Sequence, residues 1–336
     1  MSPDAGNASP VDGTNILCRL MRERIAATGL DLTGLTVLTE AATGAYASTP
    51  VIAALAGAEK VWAFTRSSRH GSAAQVTAET LGLARAAGIR DRLSVIEALP
   101  EDVPGTVDIV TNSGHLRPID EGLIRRLPDR AVIGLMFEGW EFRGEDIDLG
   151  ACRRRGIPVV AVNERHPAVG VFPFLGPLCV RLLRDAGLPV TGQRIAVLCD
   201  NPFAPFLAQG LAAAGARAGI FADALSVPDG PWDAALVSLR PDDDGLRLSA
   251  DDIGHLARVA PRAMLAQFWG DVDRAELHRR GMPVWPPEPP RHGHMAILLG
   301  ALGPEPIVRL QAGGLRAAEL VRRGCSVERD GIAERI

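Results

Sequence analysis

The stretch IAVLCDNPFAPFLAQGLAAAGARAGIFAD, residues 195–223, decides how this chain is read. An apolar run, a tight turn, a helix of small residues, a second apolar run and a terminal acid, Asp223, follow one another as in a β–α–β unit that grips a dinucleotide. In such a unit a glycine-rich turn lets the backbone close on a pyrophosphate at the helix N-terminus. Here the turn reads Cys199-Asp200-Asn201-Pro202-Phe203-Ala204. Counting back from Gly215 places Cys199, Asn201 and Ala204 on the three glycine positions, and only Ala204 is an accepted substitute. Pro202 and Pro205 have no N–H to offer an anion, Asp200 repels one, and Asp200 or Asn201 can cap the helix instead. Two readings stay open: a self-capped helix with proline in its first turn, or a cofactor lying on Asn201, Pro202 and Phe203 with Asp223 at its ribose.

The chain has 336 residues, more than one core usually organises, so two domains are expected. Residues 1–12 are polar and rich in Pro, Gly and Asn, which predicts a frayed tail. A formal net charge of −4 and a pI near 6.0 give no electrostatic footprint for nucleic acid or an anionic membrane, and point to a small-molecule partner. Cys18, Cys152, Cys179, Cys199 and Cys325 are odd in number, far apart and without C-x-x-C spacing, so neither a zinc site nor a disulfide framework is suggested. That usage fits a reducing cytoplasm. The opening segment lacks a basic n-region and an apolar h-region, and no uncharged apolar run reaches membrane length, so neither secretion nor insertion is expected.

Short β runs recur along the chain: TVLTE (36–40), KVWAF (60–64), LSVIE (93–97), DIVTN (108–112), AVIGLMF (131–137) and IPVVAVN (157–163). Helical patterns separate most of them, as parallel βαβ units require. A long apolar segment, 167–188, then reads as a linking helix. A second series follows: IAVLC (195–199), RAGIF (217–221), DAALVSL (233–239), AMLAQF (263–268) and MPVW (282–285). The expected architecture is α/β, two Rossmann-like or flavodoxin-like doubly wound parallel-sheet domains with a cleft between them. The first spans 13–186 and is joined by helices of 291–326 after the proline-rich crossing WPPEPP; the second spans 187–290. VLTEAATGAYASTPVIAALAGAEKVWAF echoes VLCDNPFAPFLAQGLAAAGARAGIF in strand, acid, turn, small-residue helix, Gly-Ala and strand, as two related halves would.

From about residue 106 to 300 the order of elements resembles the D-isomer-specific 2-hydroxyacid dehydrogenase superfamily. DIVTNSGHLRPIDEGLIRRLPDRAVIGLMFEGWEFRGEDIDLGACRRRGIPVVAVNERHPAVGVFPFLGPLCVRLL looks like that family's strand–helix–strand, Asp-containing turn, Gly-Ile-Pro-Val strand and interdomain helix. LRLSADDIGHLARVAPRAMLAQFWGDVDRAEL is similar to the helix, strand and Val-Asp-x-x-x-Leu helix before the family's catalytic loop. The resemblance implies a nicotinamide cofactor, NAD or NADP, on the second domain, a substrate from the first, chemistry in the cleft and a homodimer. It also implies an acid/base histidine in the loop PPRHGHMAILLG, where His292 and His294 stand, residues suited to proton transfer near neutral pH. The family's catalytic arginine position reads Trp269-Gly270, and an indole cannot anchor a carboxylate bidentately.

The first domain offers another cradle. Glu40 follows a strand, Gly44 gives one flexible turn residue, and Ser48 or Thr49 before Pro50 can cap a helix. The turn Arg66-Ser67-Ser68-Arg69 is basic and hydroxyl-rich, as where NADP-binding folds take a 2′-phosphate, and the same stretch looks like a methyltransferase first motif for S-adenosylmethionine. Asn112-Ser113-Gly114-His115 and Glu138-Gly139-Trp140-Glu141 end strands at the edge where α/β proteins bind ligands, which makes Asn112, Ser113, His115, Glu138, Trp140 and Trp269 candidate substrate contacts. The aspartates of 239–252 lack calcium-loop spacing, Ser249 through Asp252 reads as a capping box, and no metal site is expected. The function so implied is a divergent NAD(P)-dependent oxidoreductase-like enzyme acting on a small metabolite. The alternatives are a non-redox binding protein or enzyme that has lost nicotinamide binding, and a methyltransferase-like protein.

Overall fold

The computed structural model describes residues 10–89, 91–242, 245–326 and 330–336, and divides into two compact units, 1–171 with 303–336 and 172–302. Residues 1–9 of the expected tail lie outside the described residues. Residues 10–12 belong instead to the first helix, α1 (Pro10–Thr28), whose leading proline suits a first helical turn.

The first unit continues as β1 (Thr36–Glu40), α2 (Ser48–Leu55), β2 (Lys60–Phe64), α3 (Ala73–Ala86), β3 (Leu93–Ile96), β4 (Ile109–Asn112), α4 (Glu121–Arg126), β5 (Val132–Leu135), α5 (Leu149–Arg155) and β6 (Val159–Val162). Every residue of β4, β5 and β6 is buried, as when helices cover both faces of a parallel sheet, and β5 and β6 accordingly read as unbroken apolar runs while β4 ends in the buried polar pair Thr111-Asn112. The helices begin on side-chain caps, Ser72 accepting from Gln75 N, Asp120 from Leu123 N and Asp148 from Ala151 N. α2 departs from the expected hydroxyl cap. It runs on from a 3-10 turn (Gly44–Ala47), so Ser48 and Thr49 lie inside the helix, and their hydroxyls bond to Ala45 O and to Gln311 Oε1.

The second unit contains α6 (Leu175–Asp185), β7 (Arg194–Leu198), α7 (Ala204–Ala213), β8 (Arg217–Phe221), β9 (Ala234–Ser238), α8 (Ala250–Val259), β10 (Met264–Trp269), α9 (Arg274–Arg279) and β11 (Val284–Trp285). The expected linking helix is therefore shorter than 167–188 and packs within this unit. The capping box Ser249–Asp252 opens α8. The chain then returns to the first unit as α10 (Glu305–Arg322) and β12 (Ala333–Arg335).

The first sheet has the order β12-β6-β5-β4-β1-β2-β3, parallel except for β12, and the second the order β11-β10-β9-β7-β8, parallel throughout. Strand order reverses between β1 and β4 in one and between β7 and β9 in the other. At such a reversal the connections leave in opposite directions, and a crevice opens at the carboxyl ends of the strands.

Within the second unit α6 and α7 cross with Gly176 against Gly210. A Cβ on Gly210 would stand 2.3 Å from Gly176 Cα, and one on Gly176 would stand 2.6 Å from Phe206 O, so the crossing tolerates no side chain. Alanine in an exposed helix interior stabilises by roughly 1 kcal/mol over glycine, but forced overpacking costs about 1–3 kcal/mol. Gly210→Ala is therefore expected to lower the urea midpoint of the protein, and an unchanged or raised midpoint would refute this packing.

Candidate functional site

The crevice of the second sheet is closed by the chain's own side chains. Asp200, two residues beyond β7, reaches across the reversal to accept the Arg240 N–H at 2.8 Å on Oδ1, while Oδ2 takes Arg247 Nη2 at 2.7 Å. Asn201 spans the same gap, donating from Nδ2 to Ser238 O at 2.7 Å at the end of β9, and its Oδ1 accepts the Phe203 N–H at 3.1 Å. The Ala204 N–H goes to Asn201 O and the Phe206 N–H to Phe203 O, while Pro202 and Pro205 carry none. Every backbone donor from 202 to 206 is thus committed or missing. Phe203 is buried, stacked on Trp269 at 5.2 Å between centroids and edge-on to Phe172 at 5.4 Å. A dinucleotide pyrophosphate needs free N–H groups and a backbone it can approach. These residues do not fit one.

Asp223, exposed after β8, binds Ser226 through its N–H at 2.8 Å and its hydroxyl at 2.7 Å, bonds that hold its carboxyl below the usual carboxylate range. It closes a local turn. Trp269 donates from Nε1 to Gly293 O at 3.1 Å, and Asp271 accepts the Gly293 N–H at 3.3 Å, so the expected histidine loop is tied to the end of β10. His292 places Nδ1 2.7 Å from Asp271 Oδ2. His294 is half-buried, and its backbone N–H donates to Arg291 O. The second unit therefore brings Asn201, Phe203, Trp269 and the His292–Asp271 pair to the carboxyl edge of one sheet.

In the first unit the reversal point is bridged in the same manner. Glu40, buried at the end of β1, accepts the His115 N–H at 2.8 Å from the turn after β4. Beneath it a hydroxyl chain joins Ser113 to Thr111 and Thr111 to Thr39, the latter at 2.7 Å. Asn112 is fully buried; its Oδ1 accepts Arg117 Nε at 2.9 Å, and its Nδ2 has no partner. Arg117 also lies 3.4 Å from Asp146.

At the ends of β5 and β6 two further carboxyls, Glu141 and Glu164, gather around Glu138. Its Oε2 accepts Trp140 Nε1 at 2.5 Å, its Oε1 accepts the Glu164 N–H at 3.0 Å and lies 3.6 Å from Arg165, and its carbonyl accepts the Glu141 N–H at 3.0 Å. Burial pushes the Glu138 carboxyl up despite these bonds. Burial and the neighbouring Glu138 charge push Glu141 up to about 7, and burial with the charges of Glu141 and Glu138 drives Glu164 well above the ordinary range. Tyr46, on the 3-10 turn before α2, is raised by burial and by Glu40, Glu141 and Glu164. Among the described residues no cluster of His, Cys, Asp and Glu could hold a metal ion.

The turn after β2 stands against the turn after β1: a Cβ on Gly71 would be 3.0 Å from Thr43 Cγ2. Ser67 Oγ accepts the Ala73 N–H and Ser68 Oγ the His70 N–H, so both hydroxyls shape the turn. Arg69 donates to His70, and Arg66 is exposed.

Sequence reading missed Asp271, Glu164 and Tyr46. Glu164 carried a signal, an acid just past an apolar strand, whereas the pairing of Asp271 with His292 joins residues from two loops and has no local signature.

No protein-family profile matches the chain, and no curated protein matches it significantly. Solved structures do. One of the subunits of dipicolinate synthase from Bacillus halodurans aligns over 84% of this chain and 96% of its own, with a TM-score of 0.57 at 12% identity. The chain shares the fold of that subunit. D-mandelate dehydrogenase from Rhodotorula graminis aligns over 85% of this chain and 94% of its own (TM-score 0.47, 10% identity). NAD+-bound 3-phosphoglycerate dehydrogenase from Entamoeba histolytica aligns over 86% and 96% (TM-score 0.42, 11% identity). At such identities the likeness is one of fold, and any activity has to be argued from this chain's own residues. Among the described residues no helix is long and apolar enough to cross a membrane.

Two outcomes follow from this geometry. Asn201→Ala leaves the Phe203 N–H and Ser238 O unpaired and is expected to cost about 1–3 kcal/mol in urea unfolding; a loss below about 0.5 kcal/mol would show the bridge to be dispensable. Between the ordinary carboxylate value of 4.5 and about 7 the folded chain keeps the Glu141 proton that the unfolded chain has released. That contribution is full below pH 4.5 and is lost as pH rises through 7. The melting temperature should fall between pH 5 and 8, less steeply in Glu141→Gln, and identical slopes in the two proteins would refute it.

Proposed function

We propose that this chain is an enzyme of the oxidoreductase-like fold that acts on a small molecule by proton transfer, without a dinucleotide gripped by the β7–α7 turn. The observation that carries this reading is the closed crevice of the second unit beside an intact acid/base pair. Asp200 and Asn201 occupy the donors and the space that a pyrophosphate would use, while the loop of His292 remains anchored. Asp271 accepts the Nδ1–H of His292 and so fixes the tautomer that leaves Nε2 as the proton-exchanging atom. The imidazole can take a proton from a substrate hydroxyl or return one, with the Asp271 carboxylate stabilising the imidazolium that forms. A nicotinamide, where bound, would supply hydride chemistry, and no step here runs through one. The homodimer implied by the resemblance and the cytoplasmic setting suggested by the cysteine usage belong to this same proposal.

One observation favours a second reading. The first sheet has the strand order of a dinucleotide-binding domain, and Arg66 stands exposed at the end of β2 beside the β1 turn. An NADP 2′-phosphate would sit there. S-adenosylmethionine would have to share Glu40 with the His115 N–H.

A ligand that binds only the folded chain raises its melting temperature by mass action, by about 2.7 kcal/mol at a hundredfold excess over Kd. Melting is measured with NAD, NADH, NADP, NADPH and S-adenosylmethionine at millimolar concentration, in wild type and Arg66→Ala. No shift with any dinucleotide is the expected result. A shift with NADPH that Arg66→Ala abolishes would move the reading to a first-unit NADP site, and a shift with NADH indifferent to Arg66 would overturn both.

A further inference from the structure

The open edges of the two sheets are finished differently. β11, at one end of the second sheet, is two residues long and runs into Pro286 and Pro287; β12, at one end of the first, is three residues long and carries Glu334 and Arg335. No residue of β3, at the other end of the first sheet, is exposed. Shortness, proline and charge are devices that keep an edge strand from pairing with another chain. β8 has none of them after Arg217: Ala218, Gly219, Ile220 and Phe221 complete a five-residue strand whose register against β7 is unbroken. In the echo between the two halves β8 corresponds to β2, and β2 carries β3 on the flank that β8 leaves open.

The alternation of backbone groups fixes what that flank offers. The Arg217 N–H goes to Gln193 O and the Phe221 carbonyl takes the Cys199 N–H, so residues 217, 219 and 221 face β7. The N–H and C=O groups of Ala218 and Ile220 therefore point away from the sheet, and both residues are exposed, Ile220 at 40%. The helix packed against β8 adds a second surface of the same kind. α7, APFLAQGLAA, has no charged residue, yet it buries only Leu207 and Leu211 and leaves Pro205, Gln209, Ala212 and Ala213 exposed. A helix without a charged face belongs in an interior rather than at a surface.

We propose that β8 pairs antiparallel with β8 of a second copy of this chain, joining two five-stranded sheets into one of ten strands. The inference rests on the homodimer of the reading above and gives it a surface. Charge selects the register. Outward residues have to meet outward residues, and setting Ile220 against Ile220 of the second copy places Ala218 opposite Ala222 and Arg217 opposite Asp223, each twice. Arg217 is exposed and, among the described residues, has no ion-pair partner. Asp223 is exposed too, and Ser226 holds its carboxyl in place through Oδ1. Centring the pair on Gly219 instead would set Arg217 against Phe221 and match neither charge. The two-fold axis stands perpendicular to the joined sheet, so both α7 helices lie on one face beside the seam and cover each other's exposed alanines. Because the two copies run in opposite directions, their carboxyl edges open at opposite ends of the sheet, and each copy keeps its own site.

The test is sedimentation equilibrium of the full chain, with circular dichroism to establish folding. Wild type is expected to be a dimer. Ala218→Pro removes an outward N–H and none of the bonds to β7, and it should raise the dimer dissociation constant at least tenfold while the fold is retained. Arg217→Glu sets acid against acid and Asp223→Arg sets base against base, so each should weaken the dimer by a similar factor. An equimolar mixture of these two variants should restore it, because opposite charges then meet at both ends of the seam. A mixture no more dimeric than either variant alone, or a dimer indifferent to Ala218→Pro and Arg217→Glu, would overturn this interface and leave the homodimer standing. A monomeric wild type would overturn both, and would leave the proton-transfer reading to the dinucleotide melting series.

Discussion

The bond on which this chain's character depends is the one that an acid makes across a strand-order reversal. In an open α/β sheet the reversal leaves a crevice because the flanking connections diverge, and its value to a ligand lies in free backbone donors. Here Asp200 carries the Arg240 N–H and Asn201 the Ser238 carbonyl across the second sheet's crevice, while Glu40 takes the His115 N–H across the first. A charged acceptor on a backbone donor is stronger than a neutral one, so each bridge stabilises the strand ends that a ligand would otherwise order. In the second unit's turn the donors of Phe203, Ala204 and Phe206 are internally bonded, and those of positions 202 and 205 are absent because both are proline.

The same bonds explain how much was legible. Fold class could be read from apolar runs separated by helical patterns, because β5 and β6 are buried at every position and are apolar throughout. The echo between VLTE and VLCD was legible too, and it proves to mark the two bridging acids. The self-capped alternative for the 199–204 turn rested on proline's missing N–H, a property of the residue itself. What could not be read was the other end of each bond. Nothing near Asp200 announces Arg240 or Arg247, forty and forty-seven residues on, and nothing near His292 announces Asp271. Ser48 and Thr49 were given the cap role that their chemistry allows, but the 3-10 turn ahead of α2 already supplies the helix start.

Moving donors from ligand to protein has a consequence for where chemistry can happen. With the second unit's backbone committed, recognition there falls to side chains: the His292–Asp271 pair and the Phe203–Trp269 stack at the carboxyl edge. An indole stacked on a phenyl ring offers a flat apolar wall and no cation at the position of Trp269. Two basic residues nearby are engaged within the chain, Arg247 by Asp200 and Arg274 by Gln267 and Pro286 O.

The first unit shows the complementary condition. Its strand ends concentrate acids: Glu138, Glu141 and Glu164 stand together, and Glu141 has Arg143 and Arg117 as charge neighbours while Glu164 has only acids. Holding a proton on such a pair sacrifices stability on the alkaline side, since the unfolded chain releases that proton and the folded chain resists doing so. Substituting glutamine would remove that penalty at almost no change in shape.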